Sequence, residues 1–391
     1  MPAPAFGRAI RALWGLNPDA KLLNHGSFGA CPLEVLKVQD TLRRDMEFQP
    51  DVFFRERIMP RDGETPLRAV AAQLASFVNA KPDDIALVEN SSAGTQAVLR
   101  SVKLSPGERI MVTSHGYNAV RLMVEAKCAE SGATPLVVQI PIPTTADDVV
   151  ARIKNALTPA VKLAIIDHIT SPTALIFPLE RIIPELRKSG ARVFIDGAHA
   201  IGHIPIDLAA LRPDWYVSNT HKWLFAPKGS AFLYASPDVA ALTQPNVVSH
   251  FVEMGFPRSF DYTGTRDNTS WLAIPAALKF FRDLGPEGVW TYERALVAAC
   301  SARMEALGVI PAGPIDMCAA MRSFILPQHR PARPDDGITL MQDLWDRERI
   351  QVAANVLDEK LLIRVSAQVY VNEEDMLRFA AALDRIGWPG R

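Results

Sequence analysis

The chain has 391 residues, 48% hydrophobic and 22% charged, a globular composition with enough apolar material for a large core. Its 42 basic and 43 acidic residues leave a net charge of −1, so no overall field draws it to nucleic acid or to an anionic membrane. Cys31, Cys128, Cys300 and Cys318 are far apart and form no CxxC pair, which argues against a disulfide framework or a zinc site; no metal is expected.

The first twenty residues carry arginines and no long apolar run. No stretch nears the roughly 18 apolar residues of a membrane span, so a soluble, cytoplasmic protein is expected. Residues 33 to 79 show apolar positions at three- and four-residue intervals, the pattern of helices. Then come seven short apolar runs: DIALVE, RIMVTS, TPLVVQI, KLAIIDHI, ARVFIDGA, DWYVSN and SAFLYA. Helical stretches such as GTQAVLRSV, NAVRLMVEAKCAES and LERIIPELRKSG lie between several of them. That alternation predicts an α/β domain with a mostly parallel sheet buried on both faces. Beyond about residue 260, long helices precede short strands and a last helix, which predicts a smaller α+β domain. The expected division is 21–260 and 261–391, with residues 1–20 packing against the smaller unit.

In open α/β sheets reactive groups collect at the carboxyl ends of strands, and three such ends are polar here. One run ends in Asp196, followed by Gly197, Ala198 and His199; another ends in Ser218-Asn219-Thr220-His221-Lys222; a third leads into Asn90-Ser91-Ser92-Ala93-Gly94-Thr95. A lysine near a buried strand end loses hydration and becomes a nucleophilic amine, although Lys222 alone reads more readily as a side chain snorkelling past Trp223. Asp196 alone reads equally as a helix N-cap, and the serine-rich turn as simple capping. Together they offer an amine for an aldehyde, a carboxylate for a pyridinium nitrogen and a helix N-terminus for a phosphate. Those are the three handles of pyridoxal 5′-phosphate. A nucleotide-binding oxidoreductase would want GxGxxG after an early strand, and GSFGA lacks that spacing. A cofactor-binding regulator would carry a basic helix–turn–helix, which is also missing from the sequence.

The stretches VFIDGAHAIGHIPIDL and SNTHKWLFAPKGSAFLY resemble the core of the class V aminotransferase family, fold-type I enzymes that use pyridoxal phosphate. LNHGSFGACP, DHITSPTALIFPLE and YTGTRDNTSWLAIPAALKF resemble its isopenicillin N epimerase-like branch. The likeness runs from about residue 22 to about residue 375. It implies Lys222 as the Schiff-base lysine, Asp196 as the partner of the pyridine nitrogen and His199 beside the ring. It further implies Ala93, Gly94 and Thr95 as the phosphate-binding turn, with Asn219 and His221 adding contacts. Tyr117 would stack on the cofactor face, Ser171 and Thr173 would lie in the loop reaching its phenolic oxygen, and Thr265 would reach the phosphate of a neighbouring subunit in a homodimer with composite sites. Arg364, in an apolar run, would grip the α-carboxylate of an amino-acid substrate, with Asn24 and His25 at the mouth.

Epimerisation leads on this likeness, with Tyr117 or His25 as the second acid. Transamination and β-eliminating C–S lysis are the alternatives. A cysteine desulfurase would need a nucleophilic cysteine on a loop before Arg364, and residues 328–364 contain none.

Overall fold

The computed structural model describes residues 5–59 and 63–391; the first four positions of the N-terminal segment, and three within the helical stretch 33–79, lie outside them. Seven strands form one sheet: β1 (Ile85–Val88), β2 (Arg109–Thr113), β3 (Thr134–Val138), β4 (Val161–Asp167), β5 (Arg192–Asp196), β6 (Trp215–Ser218) and β7 (Ala231–Ala235). They match the seven apolar runs one for one. Their order is β1-β7-β6-β5-β4-β2-β3, and only β7 runs against its neighbours. The carboxyl ends of β1, β2, β4, β5 and β6 therefore share one edge. Every residue of β1, β6 and β7 is buried, which is why these strands show no polar alternation. At one edge β3 carries Pro135, tolerated there because an edge strand can spare an N–H.

Local chemistry sets the helix limits. The helix Pro66–Phe77 starts with Thr65 accepting the N–H of Arg68 and proline in its first turn. NAVRLMVEAKCAES is helical throughout and stops at Gly132 in the left-handed region. The run WLAIPAALKFFRDL falls in two helices, Thr269–Leu272 and Ile274–Leu284, because Pro275 cannot continue the backbone ladder. Asn90 caps the helix Ser91–Ser101, which begins three residues before GTQAVLRSV. Inside it, a β-carbon on Gly94 would lie 2.5 Å from Val217 Cγ2 of β6. Gly94→Ala is expected to cost about 1–3 kcal/mol of stability through overpacking. Denaturant unfolding checks this, and an unchanged midpoint would show that the helix moves aside freely.

A second, antiparallel sheet follows in sequence: β8 (Ile310–Pro311), β9 (Met321–Leu326), β10 (Ala353–Leu357) and β11 (Lys360–Ser366), in the order β10-β11-β9-β8. The N-terminal segment is stitched to this part. Gly7 N–H donates to Val369 O at 2.7 Å, Lys21–Leu22 pairs with Ile350–Gln351, and Ser366 N–H donates to Leu23 O at 2.8 Å. Trp14 packs its ring against Phe225, Phe280 and Tyr370. Among the described residues no helix is long and apolar enough to cross a membrane.

Candidate active site

A cleft of about 470 Å³ opens at the carboxyl edge of the large sheet, walled by the ends of β1, β5 and β6 on one side and by β10 and β11 on the other. It is continuous with a second lobe of about 430 Å³, because Tyr117, Asp167, Ser171, Asp196 and Asn355 line both. Lys222, Asp196, His199, Asn219, His221, Tyr117, Ser171 and Arg364 all reach this space.

Lys222 stands four residues past the end of β6, with its amine 3.3 Å from His199 Nε2. Burial, reinforced by the charge of Arg364 and only partly offset by Asp196, pushes its pKa down to about 7. The amine is thus substantially neutral near physiological pH, as a nucleophile or general base must be. Burial first, then Lys222 and Arg364, holds His199 well below the usual imidazole range, and its Nδ1 is buried without a partner.

Asp196 ends β5 and accepts the N–H of Ala198 at 2.9 Å. Its register partner on β4 is Asp167, also buried, which the sequence reading missed. Burial raises both carboxyls, and the repulsion of Asp196 adds to the rise at Asp167. Neither makes a salt bridge among the described residues, so a protonated ring nitrogen is the kind of group this corner accepts.

The helix N-terminus presents Asn90, Ser91 and Ser92 to the cleft, with Ser91 Oγ buried and without a partner. Asn219 accepts Ser91 N–H at 2.8 Å, joining this turn to the segment that carries Lys222. Such a turn suits a phosphate. The expectation for Ala93, Gly94 and Thr95 needs correction: Thr95 is fully buried, with its hydroxyl donating to Ser91 O at 2.9 Å, and Gly94 packs on Val217. None of the three lines the cleft, because the helix starts earlier than the sequence reading placed it. His221 is near: its Nδ1 lies 2.9 Å from Ser230 O, which leaves Nε2 uncommitted, and burial lowers its pKa to about 4.

Arg364, on β11, is 2% exposed and faces only neutral partners. It donates to Ser171 O at 2.6 Å, to Ser27 Oγ at 3.0 Å and to Asn24 Oδ1 at 3.4 Å, while its Nε has no partner. A buried guanidinium without a carboxylate favours an anionic ligand. Ser27 lines the cleft, whereas Asn24 meets Arg364 without lining it. His25 does not line it either. Its Nδ1 lies 2.7 Å from Tyr370 Oη and its Nε2 lies 3.0 Å from Lys222 O, and it is 1% exposed. Thr173 also turns away, its hydroxyl held by Thr170 at 2.7 Å and His115 at 2.9 Å. Thr265 lies outside its own chain's cleft, 3.0 Å from Tyr262 Oη on an exposed loop. The four cysteines are buried, and burial pushes the thiols of Cys31 and Cys300 up to about 12.

The sequence profile of the family named aminotransferase class-V matches residues 64–379. The chain belongs to that family. Its members are fold-type I enzymes, and pyridoxal 5′-phosphate is their cofactor. The isopenicillin N epimerase of Amycolatopsis lactamdurans is 31% identical, the match covering 99% of this chain and all of the relative. The L-cysteine desulfhydrase of Arabidopsis thaliana is 29% identical over 93% of this chain and 87% of its own. Among solved structures, the cystine C–S lyase C-DES, in complex with cysteine persulfide, superimposes with a TM-score of 0.78 at 21% identity. It covers 94% of this chain and 98% of its own, a likeness of fold. The fold-type I architecture expected from the sequence is thus the one the class V chain adopts.

Proposed function

We propose that this class V enzyme is a one-base lyase that eliminates the β-sulfur of a cysteine-class amino acid, giving pyruvate, ammonia and the thiol or sulfide. The observation that carries the reading is the withdrawal of His25. With both its nitrogens held by Tyr370 and the Lys222 carbonyl, and its pKa lowered to about 3 by burial, it cannot act as a second acid. That leaves Lys222, beside Arg364, as the amine able to move the α-proton. The same cleft fits an amino acid held by its carboxylate. Names among the relatives favour sulfur elimination over the epimerisation that leads on sequence likeness.

The bound pyridoxal ring would supply an electron sink for the α-carbon and an aldehyde to carry the substrate amine. The chain's residues do the rest. Arg364 orients the α-carboxylate with its two-pronged donor face, aided by Ser27 and Asn24. Lys222, neutral above about pH 7, takes the α-proton and can deliver it to the departing sulfur. Asp196 would hold the proton on the ring nitrogen, and the turn at Asn90–Ser92, with Asn219 and His221, would receive the phosphate. Tyr117, half exposed in the cleft, would pack on the ring. Overall, cysteine and water become pyruvate, ammonia and hydrogen sulfide, so no outside oxidant is needed.

Epimerisation stays the second reading, favoured by the 31% relative and by Tyr117, the remaining hydroxyl able to supply a second proton. Incubation with L-cysteine and other amino acids in deuterated water tests both. Pyruvate, ammonia and sulfide are expected; inverted amino acid carrying α-deuterium would replace the lyase with the epimerase, and keto acid with aminated cofactor would replace both. The homodimer belongs to the same proposal. Phe28, at 75% exposure beside the cleft, and Phe48, at 83%, need cover that a second copy supplies, and Thr265 would then complete the neighbour's phosphate site. The division of the chain near residue 260 is part of it too, the second unit contributing Arg364.

A further inference from the structure

The turn Asn24–Gly29 touches both ends of the reacting substrate's site without facing the substrate with His25. Asn24 and Ser27 hold the Arg364 guanidinium, and Gly26 N–H donates to Ser366 Oγ at 3.2 Å, two residues further along β11. On the other side, His25 Nε2 meets Lys222 O at 3.0 Å. A carbonyl can only accept, so Nε2 carries the hydrogen and Nδ1 accepts from Tyr370 Oη. The ring is wedged among Trp223, Phe225 and Tyr370. Gly29 closes the turn at φ 70°, where a β-carbon would press on His221 O and sit 2.9 Å from Lys222 Cα, and its own carbonyl takes a hydrogen bond from Lys228 at 3.0 Å.

We infer that this turn is a clamp that sets the distance between the Lys222 amine and the Arg364 guanidinium, with His25 and its partner Tyr370 as positioning residues. The inference rests on Lys222 capturing the cofactor aldehyde and Arg364 the substrate carboxylate. His25 acts on the Lys222 main chain, which leads directly to the amine. Ser27 acts on the guanidinium itself. Because both sit on one turn of chain, movement at either end is transmitted to the other. Proton supply is no part of this role, since the neutral ring's one N–H is committed to the Lys222 carbonyl.

The test measures how fast apo-protein captures added pyridoxal phosphate at residue 222, read as a borohydride-fixed adduct by mass spectrometry across pH, beside kcat and KM for the holoenzyme. His25→Ala and Tyr370→Phe are expected to slow capture and to lower kcat by roughly 10²-fold, the scale of a small misplacement of a reacting group. His25→Gln, which keeps a donor for the Lys222 carbonyl, is expected to recover most of that loss. Ser27→Ala should raise KM, and its effect combined with His25→Ala should depart from the product of the two. Tyr370→Phe keeps the packing, so it reports even where His25→Ala folds poorly. A variant that captures cofactor at the wild-type rate with kcat unchanged overturns the clamp, leaving His25 as packing only. Wild-type protein that fails to capture cofactor at Lys222 overturns the underlying reading and the clamp with it.

Discussion

Lys222→Ala is expected to abolish the visible absorbance of the purified protein and to lower turnover by about 10³-fold or more, since one change would remove both the proposed attachment point and the proposed base. Its amine sits 3.3 Å from His199 and is pushed down to about 7 chiefly by burial. The sign of the pH dependence follows. Below that value the amine is protonated and cannot attack an aldehyde, so cofactor capture should rise through about pH 7 and be level above it. An ordinary exposed lysine, titrating near 10.4, would still be gaining rate at roughly pH 9. Stopped-flow absorbance against pH on wild type, and borohydride reduction followed by peptide mapping, check both statements. Colour that persists unchanged in Lys222→Ala, or a label on another lysine, would remove Lys222 from the chemistry.

The strands were legible because seven runs of buried apolar residues admit no other reading, and the polar residues ending them gather along one edge of the sheet. Asp167 was legible by the same rule that found Asp196: both are acidic residues closing an apolar run, IIDHI and VFIDG. His25 could not be read locally. Its partners lie 345 and 197 residues away, and no spacing within NHGSFG says whether an imidazole faces solvent or a carbonyl. The phosphate turn was displaced for a subtler reason. Asn90 caps the first turn by accepting Ala93 N–H, which otherwise has no partner, so the helix starts at Ser91 and Thr95 falls within it, buried.

Arg364 gives the other large effect, because its neighbours leave it short of an anion. It is nearly inaccessible, its bonds go to Ser171, Ser27 and Asn24, and burial lowers its pKa only to about 10, so it stays charged at neutral pH. Two charge-assisted bonds to a carboxylate contribute about 1.5–3 kcal/mol each. Arg364→Ala should therefore cut kcat/KM by roughly 10²-fold or more, at about 1.4 kcal/mol per tenfold, mostly through KM. It should also raise the pH at which Lys222 captures cofactor, because the guanidinium charge adds to burial, the larger cause, in lowering the amine's pKa. Arg364→Lys separates the two effects. A single ammonium keeps the charge, and so much of the Lys222 shift, yet lacks the planar fork that grips both carboxylate oxygens. The expected pattern is KM raised in both variants and the pH midpoint moved clearly in Arg364→Ala alone. Unchanged KM for amino acids in Arg364→Ala would mean that the carboxylate binds elsewhere, and the assignment of the substrate end of the cleft would fall.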